Sequence, residues 1–278
     1  MESDKNVDYL LNSAGAGDIE NVRFYIESCG VDVNSADDIG RTALHRAAYR
    51  GRNSIVEYLL SKGANIDSKI ECSDPELSGA TPLSWAVMSG HVDIVKTLIQ
   101  RGAKVDVVLN GSNLLGVAVL SDNPFMVELL LNYIPDINGY GHDGETPLII
   151  ALGEDKYEST RFLLERGADY RKFDADGHSP LLIAVQEKKG SKYTELLLKH
   201  VKEKEGKEGL VEYINSIDSG SGRTALHLAC SVQNYHTVKV LLEHGADYRI
   251  RDKEGFEPDD LVVGNSHLSY QIRYLFGP

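Results

Sequence analysis

The nine residues Gly40-Arg41-Thr42-Ala43-Leu44-His45-Arg46-Ala47-Ala48 return 182 positions later as Gly222-Arg223-Thr224-Ala225-Leu226-His227-Leu228-Ala229-Cys230. Two near-identical blocks this far apart mark an internal repeat, which decides the architecture before any secondary structure is read. Looser copies begin at Thr81-Pro82-Leu83-Ser84-Trp85-Ala86, Asn113-Leu114-Leu115-Gly116-Val117-Ala118, Thr146-Pro147-Leu148-Ile149-Ile150-Ala151 and Ser179-Pro180-Leu181-Leu182-Ile183-Ala184. The step is 32 positions from Thr81 to Asn113, 33 from Asn113 to Thr146 and 33 from Thr146 to Ser179.

A second element follows at a fixed distance. It reads Ile55-Val56-Glu57-Tyr58-Leu59-Leu60-Ser61-Lys62-Gly63-Ala64 and again Val238-Lys239-Val240-Leu241-Leu242-Glu243-His244-Gly245-Ala246-Asp247, with relatives ending at Gly102 and Gly167. Apolar residues at helical spacing followed by glycine read as a helix with a left-handed stop. Thr or Ser before Pro or Ala, then an apolar run, reads as an N-cap with proline in the first helical position. The unit is therefore turn, short helix, short helix, glycine stop.

A unit of about 33 residues with Thr-Pro-Leu-His-like helix starts and Gly-Ala-Asp endings resembles the ankyrin repeat. The resemblance implies an all-α solenoid of helix-turn-helix units with short β-hairpin or turn fingers, forming a single domain over residues 1–278. The units fall at 35–67, 68–106, 107–138 (degenerate), 139–170, 171–218 and 219–248, with cap repeats at 6–34 and 249–278. Thr42 to Thr81 is 39 positions, and the surplus lies in residues 68–77, expected as an enlarged finger loop. Ser179 to Thr224 is 45 positions. That surplus, at about 202–213, is expected as a longer second helix, a glycine break and an extra helical turn.

Acids outnumber bases 42 to 29, for a formal charge of −13. Such a surface repels phosphate backbones, disfavours nucleic acid and could steer a basic partner. No apolar run is long enough to span a membrane, and the polar, acidic N-terminus is unlike a signal peptide. Cys29, Cys72 and Cys230 are an odd, scattered set that suits reduced thiols in a cytoplasmic or nuclear protein, with Cys29 and Cys230 expected as small buried hydrophobes. Asp259-Asp260 suits a solvated cap and favours a self-contained domain, whereas Phe276-Gly277-Pro278 leaves a following domain open.

A catalytic constellation is not found: the chain carries no phosphate-binding glycine loop with Lys-Ser or Lys-Thr, no His-Glu-x-x-His and no Cys-x-x-Cys. Gly15-Ala16-Gly17 reads as a turn between helices, and the Lys/Glu run from Glu187 to Glu208 as an exposed helix face. His45 and His227 resemble ankyrin histidines that hydrogen-bond between neighbouring turns. The repeat containing Gly116, which lacks such a histidine, is expected to be the softest.

In proteins similar to this one the binding surface is made by turn tips and the exposed side of the first helix. Mapped by position, the candidates are Arg41 and Leu77 at tips, with Arg46, Tyr49, Arg50, Trp85, Met88 and Leu120 on first helices. Arg, Tyr and Trp are enriched in binding hot spots, and Met adapts to varied partners. Trp85 is the single tryptophan, in a slot held by Arg46, Ile150 or Leu228 elsewhere. The expectation is a non-catalytic scaffold or adaptor, monomeric and without cofactor or metal, that holds another protein or peptide segment on the concave face. The segment is expected to be anchored at Trp85, whose loss would spare stability. The alternative is a nucleotide- or small-ligand-sensing ankyrin domain, with Trp85, Arg46 and Arg50 around the ligand.

Overall fold

A computed structural model describes residues 2–74, 77–109, 111–141, 144–186 and 190–277. Pro75 and Glu76 of the first surplus, and Glu187 at the head of the Lys/Glu run, lie outside the described residues. The chain divides into two compact units, Met1–Asp143 and Gly144–Pro278.

The first unit runs α1 (Glu2–Ala16), α2 (Ile19–Arg23, prolonged by a π-helical turn Phe24–Ser28), α3 (Ala43–Tyr49), α4 (Asn53–Ser61), α5 (Pro82–Met88) and α6 (Val92–Gln100). A hairpin of β1 (Val108–Leu109) and β2 (Ser112–Asn113) precedes α7 (Leu114–Leu120) and α8 (Pro124–Leu131). The hairpin pairs Val108 with Asn113 and Leu109 with Ser112. The second unit runs α9 (Pro147–Gly153), α10 (Tyr157–Glu165), α11 (Pro180–Gln186), α12 (Gly190–Ile214), α13 (Ala225–Ser231) and α14 (Tyr235–Glu243), then a 3₁₀ turn (Pro258–Leu261) and α15 (His267–Tyr274). Within each unit first helices pack on first helices and second on second: α1 on α3, α3 on α5 and α5 on α7, with α4 on α6; then α9 on α11 and α11 on α13, with α12 on α14. No helix among the described residues is long and apolar enough to cross a membrane.

Each start is built by its cap. Thr42 N–H donates to His45 Nδ1 at 3.2 Å while His45 N–H donates to the Thr42 hydroxyl at 3.4 Å. This is a reciprocal capping box with histidine in the position usually held by Glu or Gln. Thr81 and Ser84 close a similar box on α5, and Thr224 and His227 on α13. Second helices turn their apolar side inward: Ile94, Val95 and Leu98 of α6 are all buried. Gly63 and Gly245, the stops read from sequence, sit at φ +86° and +96°, where a side chain would clash with its own backbone.

The histidines join neighbouring repeats. His45 Nε2 meets Ala80 O at 3.2 Å, and His227 Nε2 meets Phe256 O at 3.1 Å. Because Nδ1 accepts from Thr42, Nε2 carries the proton and donates to Ala80. The repeat around Gly116 rebuilds this joint by another route. Asn113 Oδ1 caps α7 by accepting Gly116 N–H at 2.9 Å, and Asn113 Nδ2 donates to Gly139 O at 2.8 Å. The repeat does lack the histidine, as read from sequence, but a cap amide two-sided in its chemistry makes the inter-turn bond in place of the imidazole.

The two surpluses take different forms. Around residues 68–77, Ile70 is fully buried and its backbone bonds to Ala80 and Gly79, so the loop closes on its own base. In α12 the helix breaks at Gly206 (φ 73°, ψ −164°) and resumes to bury Leu210, Tyr213 and Ile214. Of the cysteines, Cys230 is buried but Cys29 is exposed. It follows the π-helical turn, whose residues bury no side chain completely, so the expectation of a buried Cys29 is corrected.

Candidate functional site

In the first unit the C-terminal ends of α1, α3 and α5 and two turn tips surround a cavity of about 600 Å³. The period alone dictates this convergence. Residues at matching positions of stacked helices lie side by side, so Arg46, Tyr49 and Arg50 on α3 meet Trp85 and Met88 on α5. Arg41 and Leu77 approach from the tips. Seven of the eight positions named from sequence thus line one hollow. Leu120, at the end of α7, does not.

Trp85 differs from expectation in its burial. Only 6% of it is exposed, with the ring 5.6 Å from His45 and 5.3 Å from Tyr49. Most of the indole is core, and only its margin faces the hollow. Truncation to alanine should therefore cost about 3–5 kcal/mol of stability, the range for a buried aromatic, rather than sparing it. The sequence signal of a lone tryptophan in a variable slot could not separate surface from core, because the neighbouring repeat decides which it is.

The wall carries four guanidinium groups, those of Arg41, Arg46, Arg50 and Arg52. Arg41 Nε bonds to Asp37 Oδ2 at 2.6 Å, and Arg46 Nη2 reaches the same oxygen at 3.3 Å. Burial pushes the Asp37 carboxyl up, but hydrogen bonds from Arg41 and Arg46 outweigh it and hold the group below the usual range. Arg46 Nη1 also donates to Asn12 Oδ1 at 3.2 Å, and Arg52 Nε to Gly15 O at 3.2 Å. Arg50 lies over the Tyr49 ring, 5.5 Å from its centroid. Among the described residues neither Arg50 nor Arg52 meets a carboxylate.

Arg52 and Asn12 were not named from sequence, and Gly15 and Ala16, read there as part of a turn, instead form the last residues of α1. Arg52 stands between the two helices of its repeat, away from the tip and first-helix positions used for mapping. The N-terminal cap lacks the recurring start, so nothing in the spacing said where α1 would pack. A second hollow of about 560 Å³ shares Tyr49, Arg50, Arg52 and Met88 and adds Ser89 and His91. The two lie against the same four side chains and are taken together as one groove. Three buried polar atoms on its walls, Arg46 Nε, Trp85 Nε1 and Ser89 Oγ, find no hydrogen-bond partner among the described residues.

The family model for ankyrin repeats, in three copies, matches residues 10–109, 104–174 and 170–252. This chain belongs to the ankyrin repeat family. Ankyrin repeats are generally protein-interaction modules, and domains built from them are mostly non-catalytic. Over 93% of its length the chain is 28% identical to ankyrin repeat protein nuc-2 of Neurospora crassa, of which it spans 23%. It is 29% identical over 87% of its length to the human transient receptor potential cation channel subfamily A member 1, spanning 18% of that protein. The chain thus covers less than a quarter of these curated relatives. Among solved ankyrin structures, the repeat domain of Bcl-3, a member of the IkappaB family, matches with TM-score 0.66 and 25% identity over 85% of this chain and all of that one. The human ASB11 ankyrin repeat domain matches with TM-score 0.55 and 22% identity over 97% of this chain and 98% of that one, a likeness of fold alone.

Proposed function

We propose that this ankyrin chain is a non-catalytic scaffold that holds a segment of another protein in the groove between α3 and α5. The observation that carries the reading is the convergence of Arg41, Arg46, Tyr49, Arg50, Leu77, Trp85 and Met88 on one hollow. Aromatic and arginine side chains around a pocket are the composition of an interface hot spot. The half-exposed Tyr49 ring and the groove's shared wall supply area for a ligand to cover. The family's general role as an interaction module points the same way.

The test avoids Trp85, because its loss would disturb the core. Arg50 and Met88 stand at the rim, and a paired Arg50→Glu, Met88→Ala variant should fold as the parent does. Affinity capture with the parent should retain a partner that the variant releases, while circular dichroism melting of the two coincides within a few degrees. Retention of the same proteins by both baits would sink the proposed site, and no retention beyond a bait-free control would sink the scaffold reading.

A further inference from the structure

The arginine groove poses a question of charge that the scaffold reading leaves open. The chain as a whole carries −13, yet four arginines crowd this wall, with Asp37 the carboxylate they meet among the described residues. The plainest alternative is that the arginines only offset the partial negative ends of α1, α3 and α5. A helix terminus is worth about half an elementary charge at most, so three of them together are worth about −1.5. Even with Asp37 counted, the wall keeps a surplus of about +1.5. Arg41 and Arg46 share the one Asp37 carboxylate, which leaves Arg50 and Arg52 as the two arginines of the wall that meet no carboxylate among the described residues.

The unpartnered atoms point the same way. Arg46 Nε and Trp85 Nε1 are donors only, buried beside the hollow and without an acceptor among the described residues. Buried donors left unpaired are rare in native proteins, and a set of them along one groove offers hydrogen bonds to an acceptor from outside, a water or a ligand group. The apolar part of the wall, Leu77, Met88 and the Tyr49 ring, would cover a hydrophobic side chain beside that acceptor. Two hollows that share wall residues suit an extended chain better than a compact molecule.

We infer that the groove takes an acidic peptide segment of the partner, placing an anionic side chain against Arg50 and Arg52 and an adjacent apolar side chain against Tyr49, Leu77 and Met88. This inference rests on the scaffold reading and names the chemistry of the partner. Carboxylate and phosphate present the same acceptor chemistry to guanidinium, so the anion comes from glutamate, aspartate or a phosphorylated serine.

Trp85 is the single tryptophan, so its fluorescence reports this groove and no other place. The purified full chain is titrated with a capped peptide in which glutamates flank a leucine. Parallel titrations use its glutamine counterpart, its phosphoserine counterpart and ATP. The expected result is a saturable change with the glutamate or the phosphoserine peptide, at least about tenfold tighter than with glutamine. Whichever of the two binds more tightly identifies the source of the anion. An Arg50→Gln, Arg52→Gln variant with unchanged melting should lose about the same factor. Equal response to the acidic and glutamine peptides, or no saturable response to any peptide, would overturn the inference. Saturation by ATP without either acidic peptide would overturn it in favour of a small-molecule site. These failures differ from failure of the scaffold reading, which shows as a parent chain that captures no partner at all.

Discussion

His45 uses both ring nitrogens, one inside the cap of α3 and one on Ala80 of the next repeat. It is fully buried, and desolvation pushes its pKa down to about 4. An unfolded histidine titrates near 6.5, so between those values the unfolded chain binds a proton that the folded chain refuses. The contribution is therefore full above about pH 6.5 and is lost as the pH falls towards 4, by roughly 3 kcal/mol in total. Burial lowers His227 as well, which adds a loss of the same sign. Urea midpoints at about pH 7.5 and about pH 4.5 check this. The parent should drop more between the two than His45→Gln does, and equal drops would mean that the buried imidazole is not the titrating group.

At the scale of the element, the informative residue is Asn113, because it does two jobs with one side chain. Its carbonyl oxygen caps α7 and its amide nitrogen reaches Gly139 in the following turn. Aspartate in its place would keep the cap and lose the donor, whereas alanine would lose both. Asn113→Ala should therefore cost about 1–3 kcal/mol, from a lost cap near 1 kcal/mol plus an inter-turn hydrogen bond. Asn113→Asp keeps the cap but sets a carboxylate oxygen against Gly139 O, so it should still cost at least the inter-turn bond. Equilibrium unfolding of the two variants would measure both costs, and an alanine variant as stable as the parent would show that this joint carries no energy. In α12, by contrast, the chain meets its surplus by breaking the helix at Gly206, in a backbone region essentially reserved for glycine.

For the whole molecule, net charge and groove charge have opposite signs, and they act at different distances. Screening reaches about 10 Å at 0.1 M salt, so the −13 total is felt mainly at low ionic strength and far from the groove. An acidic peptide approaching the molecule is first repelled and then held. Raising salt from about 20 to about 300 mM should therefore speed association by screening the long-range repulsion, while speeding dissociation by weakening the contacts with Arg50 and Arg52. Stopped-flow records of Trp85 fluorescence separate the two rates. Association that slows as salt rises would show the local positive field to dominate at long range as well.

The repeat, its caps and its glycine stops were legible in the sequence because each depends on neighbours a few residues away: Thr42 with His45, Leu59 and Leu60 with Gly63. The same period placed Arg46, Tyr49, Arg50, Trp85 and Met88 at matching positions of adjacent repeats, which is why most of the groove could be named in advance. What the stacking alone decided depends on contacts between repeats, which no local pattern encodes. Such contacts bury Trp85 to 6% exposure and bring α1 and Arg52 to the groove wall. They also leave Leu120 outside it, and they let Asn113 do the work of a missing histidine. Charge followed the same division: composition determined the acidic whole, and only the folded stack gathered four arginines around one hollow.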